Sequence, residues 1–367
     1  MPVLMPTKLK TLQLCRGLAA ALVLLFHATS VSTAFLNYDL LHGIFLFGYS
    51  GVDFFFVLSG FIIFWIHRVD LGHPARLRPY LRKRFIRIYP VYWVVFLVLL
   101  PIYFGLPNNF HDCLVLLKSF LLLPQVSNPV LTVAWTLSSE LFFYGLFGLA
   151  IYLSWKHMRA VVFLWLLFTF FFWLAKLLTY GTYQMPPHLG FVLSAYNLEF
   201  AMGCLAAYLA GSLRPYRFWW LAPIGLALFL TCGLTERFLH PIFGRHHSIL
   251  AYGVPSMLLV LGSVQWERRG VRTMPPYLLL LGDASYSIYL THFALLDLCV
   301  RGSVAIGIVT WTGPWLVILI SIATAFTIGV MIHLFIEKPL LAHLRKKSGG
   351  VDSANQQQPA PVELSPQ

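Results

Sequence analysis

A chain of 367 residues that is 59% hydrophobic, 16% aromatic and only 11% charged excludes a soluble globular protein, in which charged residues make up about a quarter. Its formal charge of +13 lies in short loops between apolar runs, which argues against a nucleic-acid partner and for loops that meet anionic lipid headgroups or cytosolic anions. Cys15, Cys113, Cys204, Cys232 and Cys299 are scattered without CxxC or other ligand spacing, so neither a disulfide framework nor a metal site is expected.

The first apolar run, Leu12 to Ser30, reads LQLCRGLAAALVLLFHATS and predicts a transmembrane helix that stays uncleaved. Arg16 and His27 interrupt it. Eleven steps of about 100° return a helix to within roughly 20° of whole turns, so the two side chains share a face, about 16 Å apart along the axis. Ionisable groups at such depth cost on the order of 3 kcal/mol and usually line a cavity or pathway. The bland alternative is a snorkelling Arg with a His satisfied by a neighbouring carbonyl.

Apolar runs predict ten spans, near 12–31, 46–66, 85–105, 132–154, 160–178, 189–210, 218–234, 248–265, 277–299 and 314–336. The stretch 110–123 is too short to cross, with Pro124 and Pro129 behind it, and is expected to be interfacial or re-entrant. With the N-terminus inside, 21 of the 26 Lys and Arg fall in cytoplasmic segments, which places both termini in the cytoplasm. The expected architecture is an all-α polytopic integral membrane protein of about ten transmembrane helices. Residues 1–347 form its membrane domain, and 348–367, rich in Gln, Pro and Ser, a disordered cytosolic tail.

Chemistry-bearing residues follow in chain order. GVDFFFVLSGFI carries Asp53 near the outer surface and Ser59-Gly60, which permit close helix packing. RLRPYLRKRFIRIYP sets Arg84 and Arg87 three apart on one helix surface, a planar-fork pair suited to phosphates; a positive-inside stop signal is the plainer use of the loop arginines. AWTLSSELFFYG places Glu140 roughly 12 Å below the outer surface, at a depth where it could meet His27, with Thr136 on its face. LGDASYSIYLTHF aligns Ser285, Tyr289 and His292 in one polar stripe, a pattern that more often serves hydrogen bonds between helices. Glu199 is another buried acid, and Glu337 in FIEKP is expected to pair with the arginine cluster as architecture.

Taken in order, Arg16 with ten residues before His27, GVDFFFVLSGF, RFIRIYP, WTLSSE, SYSIYLTH and FIEKP resemble the membrane-bound acyltransferase family 3. The opening LQLCRGLAAALVLLFHA is most similar to its exopolysaccharide O-acetyltransferase branch, and the likeness covers roughly residues 10 to 340. The resemblance implies a ten-helix core in the cell inner membrane that moves acetyl or short acyl groups from cytosolic acyl-CoA, a co-substrate and not a bound cofactor, to a hydroxyl of an exopolysaccharide or lipid-linked sugar. It further implies that Arg16 and His27 are essential and that Arg84 and Arg87 lie on the acyl-CoA side.

On this reading acetyl-CoA phosphates sit on Arg84, Arg87 and Arg16, and His27 is a general base with Glu140 orienting it or holding the sugar. Asp53, Ser59, Thr136, Tyr289 and His292 support the acceptor end. Formation of an acetyl-His27 intermediate is the variant route. A transporter or flippase of lipid-linked glycans is the rival class, since buried acids and a cationic mouth serve it as well, though transporters often show internal repeats and none is visible. A scaffold without chemistry leaves Arg16, His27 and Glu140 unexplained.

Overall fold

The computed structural model describes residues 9–105, 107–125, 127–153, 155–179, 187–213, 217–238, 249–270 and 274–352. Within them the chain folds as α1 (Lys10–Leu36), α2 (Gly51–His67), α3 (Leu77–Tyr103), α4 (Phe110–Phe120), α5 (Trp135–Tyr152), α6 (Trp155–Leu178), α7 (Pro187–Val192), α8 (Tyr196–Ser212), α9 (Leu221–Phe238), α10 (Val254–Arg268), α11 (Pro276–Ala305), α12 (Val309–Thr312), α13 (Pro314–Ile332) and α14 (Lys338–Asp352), with 3-10 or π-helical turns joining several of them and no strand among the described residues. Nine helical segments among them are long and apolar enough to cross a membrane. The protein is an all-α polytopic membrane protein.

The expected span 248–265 is built differently from the rest: π-helical Ile249–Gly253 leads into α10, which has only 15 residues. The tail expected from Ser348 continues as helical backbone to Asp352, and 353–367 lie outside the described residues. Positions 8, 214, 245 and 272, counted in the charge balance, also lie outside them.

α1 and α11 form the central pair, sealed by Ala20, Leu24, Ala28 and Val31 against Ala284, Ile288, Leu296 and Val300. Gly17 against Gly282, and Gly282 against the Gln13 carbonyl, let the two backbones approach, which is how helices associate where lipid offers no hydrophobic driving force. α2 packs against α8 by the same logic. A Cβ on Gly60 would overlap the Phe200 carbonyl, and one on Gly203 would overlap that of Val57. The close packing expected at Ser59-Gly60 is therefore present.

Two polar contacts fix which helix ends lie together. Glu267, at the end of α10, accepts the backbone N–H groups of Lys10 and Thr11 at 2.9 Å each, satisfying first-turn donors of α1 that have no partner within the helix. Arg87, ten residues into α3, reaches Glu337 just beyond α13 at 2.9 Å. The N-terminus of α1, the C-terminus of α10, the start of α3 and the exit of α13 thus share one end of the bundle.

α4 is re-entrant. The Ser119, Phe120 and Leu121 carbonyls at its C-terminal end accept from Tyr92 Oη (2.5 Å), Trp93 Nε1 (3.0 Å) and Tyr89 Oη (2.9 Å), all near the middle of α3. Backbone that leaves a helix at membrane depth must find donors in protein, and α3 supplies them. α5 starts from this depth: the hydroxyl of Thr136, its second residue, lies 2.9 Å from that of Tyr289, about 20 Å along α11.

Candidate active site

Arg84 and Arg87 leave α3 on one ridge and enter the bundle interior. Arg84 donates from Nη2 to His67 Nε2 at 2.8 Å; that nitrogen must then accept, which leaves the proton on Nδ1 for Asp70 Oδ2, also at 2.8 Å. Its guanidinium carbon lies 5.6 Å from the Tyr80 ring centre and 5.3 Å from that of Tyr144, within cation–π range. Arg87 gives Nη1 to Glu337 and packs 5.3 Å from the Tyr286 ring. The second oxygen of Glu337 accepts from Ser287 Oγ and His333 Nδ1, both at 2.8 Å. Glu337 pairs with the cluster, as its position in FIEKP suggested.

Arg16 forms no hydrogen bond or ion pair among the described residues, yet lies within electrostatic reach of Arg87, Glu140 and Glu337. Glu140 Oε1 accepts from Ser59 Oγ at 3.2 Å and from the Tyr144 hydroxyl. Arg16, Arg84, Arg87, Ser59, Glu140 and Tyr289 all line one narrow cavity of about 170 Å³. α2 lines it from Val52 to Ile63, eleven residues or about 16 Å of helix, so the cavity is elongated along the bundle axis. Three cations mark one end of it. At the other, Thr136 Oγ1 donates to the Val133 carbonyl at 3.0 Å, which leaves Tyr289 as donor to Thr136.

Beyond Tyr289 the polar path continues outside the cavity lining. His292 is fully buried, and its Nδ1 lies 2.6 Å from the Tyr289 carbonyl. A carbonyl only accepts, so Nδ1 carries the proton and the buried Nε2, which has no partner, is left as an acceptor. The ring centre of His292 is 5.1 Å from that of His27, which also packs at 4.9 Å against Phe293. Arg16 and His27 bracket the path as their spacing predicts, one in the cavity and one beyond its upper end.

The expected meeting of Glu140 with His27 at one depth does not occur. Glu140 is held by Ser59 and Tyr144 beside the arginines, one turn below Thr136, whereas His27 lies beyond Tyr289 on the other side. The physical reason is the re-entrant α4, which makes α5 begin deep in the bundle. Asp53 is buried outside the cavity, where it interacts with Glu199 of α8, and so does not join the site directly. Ser285 lines the cavity and donates to the Gly282 carbonyl at 2.7 Å. Sequence reasoning missed Tyr144, Tyr286 and His67. Tyr144 follows Glu140 at helical i, i+4 spacing, a signal that was present; His67 carries none.

The fold and this cavity define a polytopic membrane protein with a cationic, carboxylate-bearing passage leading to a histidine pair, His292 buried and His27 half-buried. The model of the acyltransferase domain, family 3, matches residues 9–334, and the chain belongs to that family of acyltransferases. It is 30% identical over 319 residues to the exopolysaccharide production protein ExoZ of Rhizobium meliloti (strain 1021), covering 83% of this chain and 92% of that one. It is 27% identical over 382 aligned residues to the acyltransferase MdmB of Streptomyces mycarofaciens, covering 91% and 90% of the two chains. No solved structure gives a significant match.

Proposed function

We propose that this protein is an O-acyltransferase of the cell inner membrane that transfers an acetyl or other short acyl group from cytosolic acyl-CoA to a sugar hydroxyl of an exopolysaccharide or lipid-linked glycan. The observation that carries the reading is the elongated cavity with three arginines at one end and Tyr289, leading to His292 and His27, at the other. The arginine end is the cytoplasmic end, and both termini lie there, as the Lys and Arg bias indicates.

The residues divide the work by depth. Arg84, oriented by His67, and Arg16, which has no partner among the described residues, bind CoA phosphates by charge-assisted hydrogen bonds; Arg87 shares its charge with Glu337. A narrow passage suits an extended pantetheine arm. Glu140, fixed by Ser59 and Tyr144, balances the cations and keeps the passage polar. At the far end His27 takes the acceptor hydroxyl proton as the oxygen attacks the thioester carbonyl. The C–S bond breaks, the thiolate leaves, and the proton on His27 returns to sulfur as free CoA forms. His292, with Nε2 unprotonated, steadies the imidazolium of His27. The ExoZ likeness supports an exopolysaccharide acceptor.

The test is transfer of labelled acetyl from acetyl-CoA to de-O-acetylated polysaccharide by purified protein in lipid vesicles. Label on the polysaccharide, removed by mild base as an ester is, is the expected result. Unlabelled polysaccharide alongside acylation of some other acceptor would overturn the glycan assignment.

A further inference from the structure

α5 has a second working face. Positions 136, 137 and 140 look into the arginine-lined cavity, whereas 135, 138 and 139 lie on the opposite side of the helix at about 100° per residue. That side borders a separate cavity of about 500 Å³, closed by the loop after α4 and by the segment running into α8. Its volume falls within the 300–1,000 Å³ typical of small-molecule sites. Its lining is neither lipid-like nor strongly charged. Trp135 and Tyr196 supply aromatic faces, Ser138 a hydroxyl that bonds to no other described residue, and Lys118 the sole charge.

One lining atom asks for a donor. Gln125 gives Nε2 to Ser119 Oγ at 3.0 Å, but its Oε1 is buried without a hydrogen-bond partner among the described residues. A buried acceptor without a donor is costly, and a small turn of the side chain toward the cavity lets a ligand hydroxyl or water satisfy it. The two cavities also share a wall. Phe56 lines the first, and its ring stands 6.4 Å from that of Trp135 and 4.5 Å from that of Tyr196, which line the second.

We propose that this second cavity is a glycan subsite holding sugar units that flank the unit being acylated. The inference rests on the acceptor being a glycan. Sugars present both C–H faces to aromatic rings and hydroxyl donors to acceptors such as Gln125 Oε1, whereas an acyl chain offers no hydroxyl donor. The cavity borders α5 at the level of Thr136, whose hydroxyl meets that of Tyr289 on the way to His27, and the Phe56–Trp135–Tyr196 wall separates the flanking units from the donor arm. Lys118 favours a chain that carries acidic substituents. The site makes the enzyme prefer a polymer or oligosaccharide over a single sugar.

The experiment compares two acceptors on one preparation: intact de-O-acetylated exopolysaccharide from the producing cell, and its acid hydrolysate of monosaccharides. The readout is the ratio of kcat/KM for polymer to that for monomer, from which the amount of folded protein cancels. Ser138→Trp, which narrows the cavity, and Gln125→Ala, which removes the orphaned acceptor without adding bulk, should each lower that ratio at least tenfold. A wild-type ratio near one, or a ratio unmoved in both variants while the polymer is still acylated, overturns the subsite. If wild type acylates neither acceptor, the glycan reading fails and the subsite with it.

Discussion

At the scale of single residues, His27 and His292 are neighbours in different settings, and under the proposed mechanism their substitutions should separate. His27 lies half-buried beside the His292 ring and bonds to no other described residue, as a base awaiting a substrate proton would, whereas His292 is pinned through Nδ1 to the Tyr289 carbonyl. His27→Ala should lower kcat by about 10²–10⁴-fold, the usual cost of losing a general base. His292→Phe should lower it by roughly tenfold with the KM for acyl-CoA unmoved, since it removes one hydrogen bond to a charged partner. Equal losses in steady-state assays would show that the pair acts as a unit and that His27 holds no special role. The arginines separate in another way. Arg84→Ala removes a phosphate contact worth about 1.5–3 kcal/mol, so the acyl-CoA dissociation constant should rise roughly 10- to 150-fold by calorimetry. Arg87→Gln alone leaves buried Glu337 uncompensated, which costs about 3–5 kcal/mol of stability. Adding Glu337→Gln should restore the thermal midpoint without restoring donor affinity. An Arg87→Gln protein as stable as wild type would mean that the ion pair contributes little to the fold.

At the scale of helices, the glycine contacts between α2 and α8 invert an ordinary expectation. Gly to Ala inside a helix usually stabilises by about 1 kcal/mol through propensity. At Gly203 the new methyl group meets the Val57 carbonyl, which belongs to a helix backbone and cannot swing aside. Overpacking of this kind costs about 1–3 kcal/mol, so Gly203→Ala should lower the unfolding midpoint in detergent, while Gly145→Ala, with open space around its Cβ position, should not. A raised midpoint for Gly203→Ala would show that the two helices can part. This contact was legible in the sequence as Gly60 beside Ser59, as were the long apolar runs and the Arg16–His27 face. The depth of Glu140 was not. Periodicity says which face a residue takes, but the level at which a helix starts depends on its preceding loop, and re-entrant α4 delivers Trp135 to mid-depth through contacts with Tyr89, Tyr92 and Trp93 far away in sequence. Pro124 and Pro129 marked a break there without giving its depth. Likewise the partnership of Arg84 with His67 joins residues from two helices across a turn, and no local pattern announces it.

At the scale of the whole molecule, the question is which side of the membrane supplies each substrate. CoA is a multiply charged cytosolic molecule that cannot cross lipid unaided, so acylation of a glycan on the far side requires that the acyl group pass through the protein. The bundle is arranged for that. Arg16, Arg84 and Arg87 gather toward the end where α1 begins and α13 exits, and α1 carries the path from Arg16 to His27 over about 16 Å. On the proposed function, the acyl carbon crosses the midplane while the CoA body stays with the arginines. Sealed, oriented vesicles test this directly, with labelled acetyl-CoA on the arginine side and a polysaccharide acceptor enclosed on the other. Label should appear on the enclosed acceptor with wild type and vanish with Arg16→Ala and with His27→Ala. Raising salt on the CoA side should slow transfer, because screening weakens the capture of phosphates at the cavity mouth more than any contact buried deeper. Label found only on acceptor added to the CoA side would show that transfer ends at the cytoplasmic mouth and that the first helix is not a conduit.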